Sequence, residues 1–200
     1  MLREFVQLGA LASLVVGIMF APTASRAAHP ATRIVFGVQT LEPFGHTRFC
    51  SRYPDECASP DPRRPHDGPA PREKRRELDT LDREINLRII PTQFLERGPM
   101  RDWRLNPNVG GCTDFAVTKR HALLGRGWAP EALLLAEVRL RSSGEHNLVL
   151  VARIEGADLV LDNLQQRVRT FSDTLADYQW LRIQSSANPR FWNAVEMSHG

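Results

Sequence analysis

The chain supplies no two short pairs of metal ligands: its three cysteines are Cys50, Cys57 and Cys112, and no second close pair exists. A structural zinc site of the paired-motif kind is therefore not signalled, and no metal site is read from the sequence. Nor is there a concentrated basic run. Arg72, Lys74, Arg75 and Arg76 alternate with acids, as on a solvated helix face, and the formal charge is only +3, so nucleic acid is not an expected partner. Beyond residue 21 no apolar stretch is long enough to cross a bilayer. No internal repeat is found, which excludes a repeat architecture.

What is present begins with a leader. Arg3 precedes an apolar run from Leu8 to Ala21, followed by Pro22 and the small residues around Ser25-Arg26-Ala27. That is the layout of a secretory signal peptide over residues 1–27, with an uncleaved anchor as the rival reading. The mature chain is expected in the periplasm or secreted, with no stable membrane insertion after cleavage. Export makes the cysteines informative. Cys50 and Cys57 flank a short loop that an oxidising compartment is expected to close into a disulfide. Cys112 is left over, as an intermolecular bridge, a buried inert thiol or a reactive one.

The rest of the chain reads as one domain. Residues 28–71 form an N-terminal extended segment of loop-like composition, with a short strand around Ile34–Val38 and a proline-rich exposed connection at about 58–71. Residues 72–200 form the core. Leu78, Leu81, Ile85 and Ile89 recur at helical spacing, and Pro91 ends that helix. Gly110-Gly111 introduces a second helix from Cys112, stopped by Gly125, Gly127 and Pro130. The period then changes to two. Leu134, Ala136, Val138 and Leu140 are expected to face a core, with Glu137, Arg139 and Arg141 toward solvent. Strands follow at 146–152, 159–162 and 178–183. Helices before an antiparallel sheet make the class α+β.

A cysteine in the first turn of a helix sits at the positive end of the dipole, which favours the thiolate. The turn signal Glu155-Gly156 lies beside the midpoint of His146 and Asp162, so a hairpin folded there is expected to set those two residues level. A carboxylate could then hold one imidazole nitrogen and leave the other for the Cys112 sulfur, the logic of a cysteine hydrolase. The Cys112 N–H is the expected oxyanion donor, with Asn86 as a candidate second one. Each member also has a bland reading: an inert buried thiol, a surface histidine at a strand end, an aspartate beginning a turn. His121, inside the helix, is read as structural.

The order Gly-Gly-Cys112-Thr-Asp-Phe-Ala with Lys119, then Gly144-Glu-His146-Asn-Leu-Val-Leu, then Leu159-Val-Leu-Asp162-Asn163, resembles the bacterial transglutaminase-like cysteine proteinases. The similarity runs from about Phe49 to Trp192 and includes Asn86, Trp103 and Gln184. It implies a papain-like/transglutaminase-like core, with N-terminal helices packed on an antiparallel sheet. It also implies a catalytic triad of Cys112, His146 and Asp162. The branch of the family that cleaves biofilm adhesins binds calcium through acids flanking the cysteine. Here Gly111 and Thr113 stand at those flanks and only Asp114 remains, so no cofactor is expected.

These readings lead to an exported cysteine peptidase that cleaves a peptide or amide bond of a protein in the cell envelope, through a thioester acyl-enzyme. Two alternatives stand beside it. An amine in place of water would give transglutaminase-type transfer, and a degenerate site would leave a non-catalytic envelope binding module.

Overall fold

A computed structural model describes residues 33–59, 71–92, 102–154 and 156–197. The expected signal peptide, and the proline-rich connection from residue 60 to residue 70, lie outside these described residues. The elements in chain order are β1 (Val35–Thr40), α1 (Phe44–Arg52), a 3-10 turn (Pro54–Cys57), α2 (Pro71–Arg88), β2 (Ile90–Pro91), β3 (Val109–Gly110) and α3 (Cys112–Gly125). There follow β4 (Leu133–Leu140), β5 (His146–Ile154), β6 (Ala157–Leu161), β7 (Arg169–Thr170), α4 (Phe171–Thr174), β8 (Tyr178–Gln184) and β9 (Trp192–Glu196).

Seven strands form one antiparallel sheet in the order β1-β9-β8-β4-β5-β6-β7, and β2 and β3 make a separate two-residue parallel pair. Alternation along the strands divides the apolar residues between two faces. On one face Leu133, Leu135, Leu148, Leu150, Leu159 and Leu161 meet the helices, through Leu78, Leu81, Ile85 and Ile89 of the α2 region and Phe115 and Ala116 of α3. On the other, Leu134, Ala136, Val138, Val149, Val151 and Val160 pack with Phe171, Tyr178 and Trp180. Mixed helix and antiparallel sheet is thus the fold class, as the pattern change after residue 133 implies.

Three readings of the sequence change. The segment taken as loop-like carries, beside the expected short strand, now β1 pairing with β9 at the sheet edge, a helix α1 whose Phe49 and Cys50 are buried in the helix-side core. Polar, short and bracketed by prolines, α1 gives little periodic signal; its burial comes from tertiary packing. The strand β4 is buried on both faces rather than one, because helices cover the side of Leu133 and Leu135. The third concerns α3. Its residues from Asp114 to Arg120 are all buried, charges included, so burial extends well beyond the one face on which helical spacing sets Cys112, Phe115, Ala116 and Leu123.

Charges that deep need partners. Lys119 Nζ lies 2.6 Å from Asp82 Oδ1 on α2. Burial pushes the lysine pKa down and the aspartate pKa up, while each charge opposes the shift of the other. Arg120 takes Glu56 Oε2 at 3.0 Å, donates to the Leu133 carbonyl, and so ties the 3-10 turn to the start of β4. His121 Nδ1 meets Glu56 Oε1 at 2.5 Å, which makes it the structural residue expected.

Candidate active site

Cys112 is the first residue of α3, partly buried against the helix-side core, and it is not in a disulfide. Its two glycines do different work. Gly110 has no room for a side chain: a Cβ there would come within 2.8 Å of Asp114 Oδ2 and 2.9 Å of Asp114 Cβ. Gly111 is the N-cap in extended backbone, at φ −99°. The close approach of the Asp114 carboxylate, rather than a left-handed turn, is what requires glycine here.

Asp114 is fully buried and closes the start of the helix. Its Oδ2 accepts from the Gly111 N–H at 3.1 Å, its Oδ1 accepts from the Arg104 N–H at 2.8 Å, and the Arg104 guanidinium lies 3.2 Å from Oδ2. A negative charge in the first turn also complements the helix dipole. This surrounding does not suit calcium, which takes six to eight oxygen ligands. The flanking positions are Gly111 and Thr113, and the one carboxylate beside the cysteine already carries a guanidinium and two N–H donors.

His146 begins β5 and alternates with Leu148 and Leu150, so it belongs to the face on which α3 packs. Its Nδ1 lies 2.6 Å from Glu137 Oε1 and its Nε2 3.3 Å from Arg139 Nη2, both on the neighbouring strand β4. Glu137 is in turn held by Arg182 Nε at 2.5 Å, and Arg182 donates to the Leu41 carbonyl. The supposed solvent face of β4 is therefore the one carrying the imidazole's partners.

Asp162 does not lie level with His146. Ile154 pairs with Ala157 and Leu150 with Leu161, so the ladder continued by one residue brings Asp162 opposite Val149. The hairpin closes more than one position later than the midpoint estimate assumed. The Asp162 side chain is buried, and Oδ1 accepts from Asn147 Nδ2 at 3.0 Å and from the Leu164 N–H at 3.1 Å. Oδ2 accepts from the Tyr178 hydroxyl. Burial first, and then the charge of Asp162, push the Tyr178 pKa well above its ordinary value, so the phenol stays a donor. Asp162 thus reaches the residue next to His146, and the carboxylate touching the imidazole is Glu137.

Asn86 is also used otherwise than expected. Its Nδ2 donates to the backbone carbonyls of Asp162 at 3.0 Å and Gln165 at 3.3 Å, and to Asp82 Oδ2 at 3.3 Å. It braces α2 against the segment after β6. Glu137, Asn147 and Tyr178 were not singled out by sequence reasoning. Only the pairing of β4 with β5 and β8 brings them to this region, and pairing across strands leaves no mark in local periodicity. A shallow pocket of about 210 Å³ borders Leu140, Leu164 and Tyr178; neither Cys112 nor His146 lines it.

The profile described as bacterial transglutaminase-like cysteine proteinase BTLCP matches residues 36–199. The chain belongs to this family. It is a transglutaminase-like cysteine peptidase, as the order of the cysteine, histidine and aspartate motifs implied. Among solved structures, Legionella pneumophila LapG is similar at 20% identity with a TM-score of 0.50, over 59% of this chain and 67% of that one. The EGTA-treated form of Legionella pneumophila LapG aligns at 19% identity and a TM-score of 0.47, over 61% and 70%. At these identities the likeness speaks to the transglutaminase-like fold alone. No curated protein matches the chain. No helix among the described residues is long and apolar enough to cross a membrane.

Proposed function

We propose that the protein is an exported cysteine peptidase in which Cys112 is the nucleophile, His146 the general base and Asp162 the orienting acid. The single observation that carries this reading is the family match over residues 36–199, a span that contains all three residues. The placement of Cys112 at the N-terminus of α3, and of His146 on the strand face that packs toward that helix, supports it.

In the reaction, His146 takes the proton of the Cys112 thiol and the sulfur attacks the carbonyl carbon of a peptide or amide bond. The Cys112 N–H, at the start of the helix, donates to the developing oxyanion in this reading. The C–N bond then breaks, the imidazolium gives its proton to the leaving amine, and a thioester remains. Water, deprotonated by the same imidazole, hydrolyses the thioester and restores the thiol. For Asp162 to hold the ring in this sequence, the imidazole must leave Glu137, on which it rests here. A second reading is favoured by that contact: Glu137 itself supplies the carboxylate.

The substrate is a protein or peptide of the cell envelope, reached in the periplasm or outside the cell. The test is site-specific. Alkylation of Cys112 by iodoacetamide at neutral pH, followed by mass spectrometry, is expected to run about tenfold or more faster than in the His146→Ala variant. Equal rates in the two folded proteins, at the level of an ordinary thiol, would remove the assignment.

A further inference from the structure

His146 is held at both of its ring nitrogens. Glu137 Oε1, 2.6 Å from Nδ1, accepts the ring proton there, which leaves the lone pair on Nε2. Arg139 Nη2 lies 3.3 Å from Nε2 and donates to it. While that lone pair accepts from a guanidinium it cannot take a proton from a thiol. Both candidates for the orienting carboxylate meet the same requirement. If Glu137 keeps Nδ1, Arg139 must release Nε2; if Asp162 takes the ring, the ring must leave both side chains.

What Arg139 lacks is a counter-ion. It pairs in register with His146 on β5 and with Gln179 on β8, so the three residues make one row across the sheet, and all three are exposed. Neither neighbour in that row carries a negative charge. Glu137, two residues earlier on the same face, already takes His146 and Arg182 Nε. Among the described residues Arg139 makes no ion pair. Arg141, also exposed, donates to the Leu175 carbonyl. An arginine–carboxylate pair has charge on both partners and can form two parallel hydrogen bonds, whereas the imidazole offers one uncharged lone pair. A carboxylate arriving beside this row therefore takes Arg139 from His146, and an uncharged group does not.

We propose that Arg139 selects substrates carrying a carboxylate close to the bond to be cleaved, and that this carboxylate draws the guanidinium off His146 Nε2 as the substrate binds. Arg139 is then a specificity residue and, through His146, a positioning residue. The carboxylate belongs to an acidic side chain or to a peptide C-terminus, which share this chemistry. The inference rests on the peptidase reading, because it gives that same site its substrate class.

The probes are iodoacetate and iodoacetamide, which alkylate a thiolate by the same displacement and differ in charge. Cys50 and Cys57 are bonded to each other, so Cys112 is the sulfur that reacts. At low salt and neutral pH, the ratio of the iodoacetate rate to the iodoacetamide rate is expected to be about fivefold higher in the wild type than in Arg139→Gln, and about tenfold or more higher than in Arg139→Glu. Added salt should shrink both differences. Arg139→Lys, which keeps the charge without the planar fork, should fall between the wild type and Arg139→Gln. Iodoacetamide alone should react with Arg139→Gln at least as fast as with the wild type, because Nε2 is then uncovered. In a proteome-derived peptide mixture the wild type should cut beside acidic residues or remove C-terminal residues. Amidating the peptide C-termini abolishes the second and spares the first. Arg139→Glu should shift the profile toward basic residues. An unchanged iodoacetate-to-iodoacetamide ratio in both Arg139→Gln and Arg139→Glu would overturn the proposal. It would leave the peptidase reading in place as long as iodoacetamide still alkylates Cys112 faster than in His146→Ala. Loss of that last difference removes the peptidase reading itself, and this inference with it.

Discussion

The Nδ1 atom of His146 lies 2.6 Å from Glu137 Oε1, and the other oxygen of the same carboxylate is held by Arg182 Nε at 2.5 Å. The His146 side chain is 53% exposed, so water screens its pair with Glu137. Exposed ion pairs are worth about 0–1 kcal/mol, and this carboxylate is already neutralised by a guanidinium. Asp162, by contrast, is 2% exposed and held by three donors. Glu137→Gln is accordingly expected to lower kcat/KM by about fivefold at most, and Asp162→Asn by about a hundredfold or more. The two variants, assayed on one peptide substrate across pH, separate the two readings of the triad. The reverse ranking would transfer the orienting role to Glu137.

Tyr178 gives a pH dependence with a definite sign. Its folded pKa is raised above the ordinary value of 10.0, chiefly by burial and then by the charge of Asp162. A group whose pKa is raised on folding contributes stability below its unfolded pKa, and loses it as pH rises through the folded one. Above about pH 10 the unfolded chain releases a proton that the folded chain retains, so stability falls. Denaturant unfolding between pH 8 and about 11 is expected to show this decline in the wild type and a shallower one in Tyr178→Phe. Equal slopes would mean that the phenol is not held as described.

The scaffold was legible wherever one period ruled. Leu78, Leu81, Ile85 and Ile89 read as a helix and are all buried, and the strands at 133–140, 146–154 and 157–161 fall where alternation placed them. The Cys50–Cys57 disulfide also forms as expected. What could not be read was the meeting of distant segments. Trp192, on the strand β9 between β1 and β8, which carried no recognised signal, is fully buried and donates from its indole toward His46, far away in sequence. The hairpin register failed for a simpler reason. A turn signal fixes a position only to within a residue or two, and in a strand each residue of error moves a side chain to the other face.

Calcium is the next expectation to test. The carboxylate beside Cys112 is Asp114, and Arg104 is both a charge partner and a backbone donor to it. A calcium ion would have to displace the guanidinium and find further oxygens at positions held by Gly111 and Thr113. Thermal unfolding in EGTA and in millimolar calcium should therefore give the same midpoint, and peptidase activity should be unaffected by the chelator. A clear rise of the midpoint with calcium would show that an oxygen cage forms here despite the ion pair.

The placement of Cys112 rests on a buried charge pair further along its own helix. Lys119 and Asp82 are both essentially inaccessible to water, lie 2.6 Å apart, and lock α3 onto α2. Asp82 Oδ2 also receives Asn86 Nδ2 at 3.3 Å, so the pair continues into the contact with the Asp162 carbonyl. Removing one partner of such a pair leaves a desolvated charge with no counter-ion, which costs about 3–5 kcal/mol; replacing both with apolar groups of similar volume often costs nothing. Asp82→Leu and Lys119→Met are each expected to lower unfolding stability by about 3–5 kcal/mol in denaturant titrations, and the double variant by much less. If the single losses simply add in the double variant, the pair is not coupled and α3 is held by its apolar contacts alone. If they do not add, the alkylation rate of Cys112 in the stable double variant reports whether the ion pair, beyond supporting the fold, fixes the angle at which the helix presents its first residue.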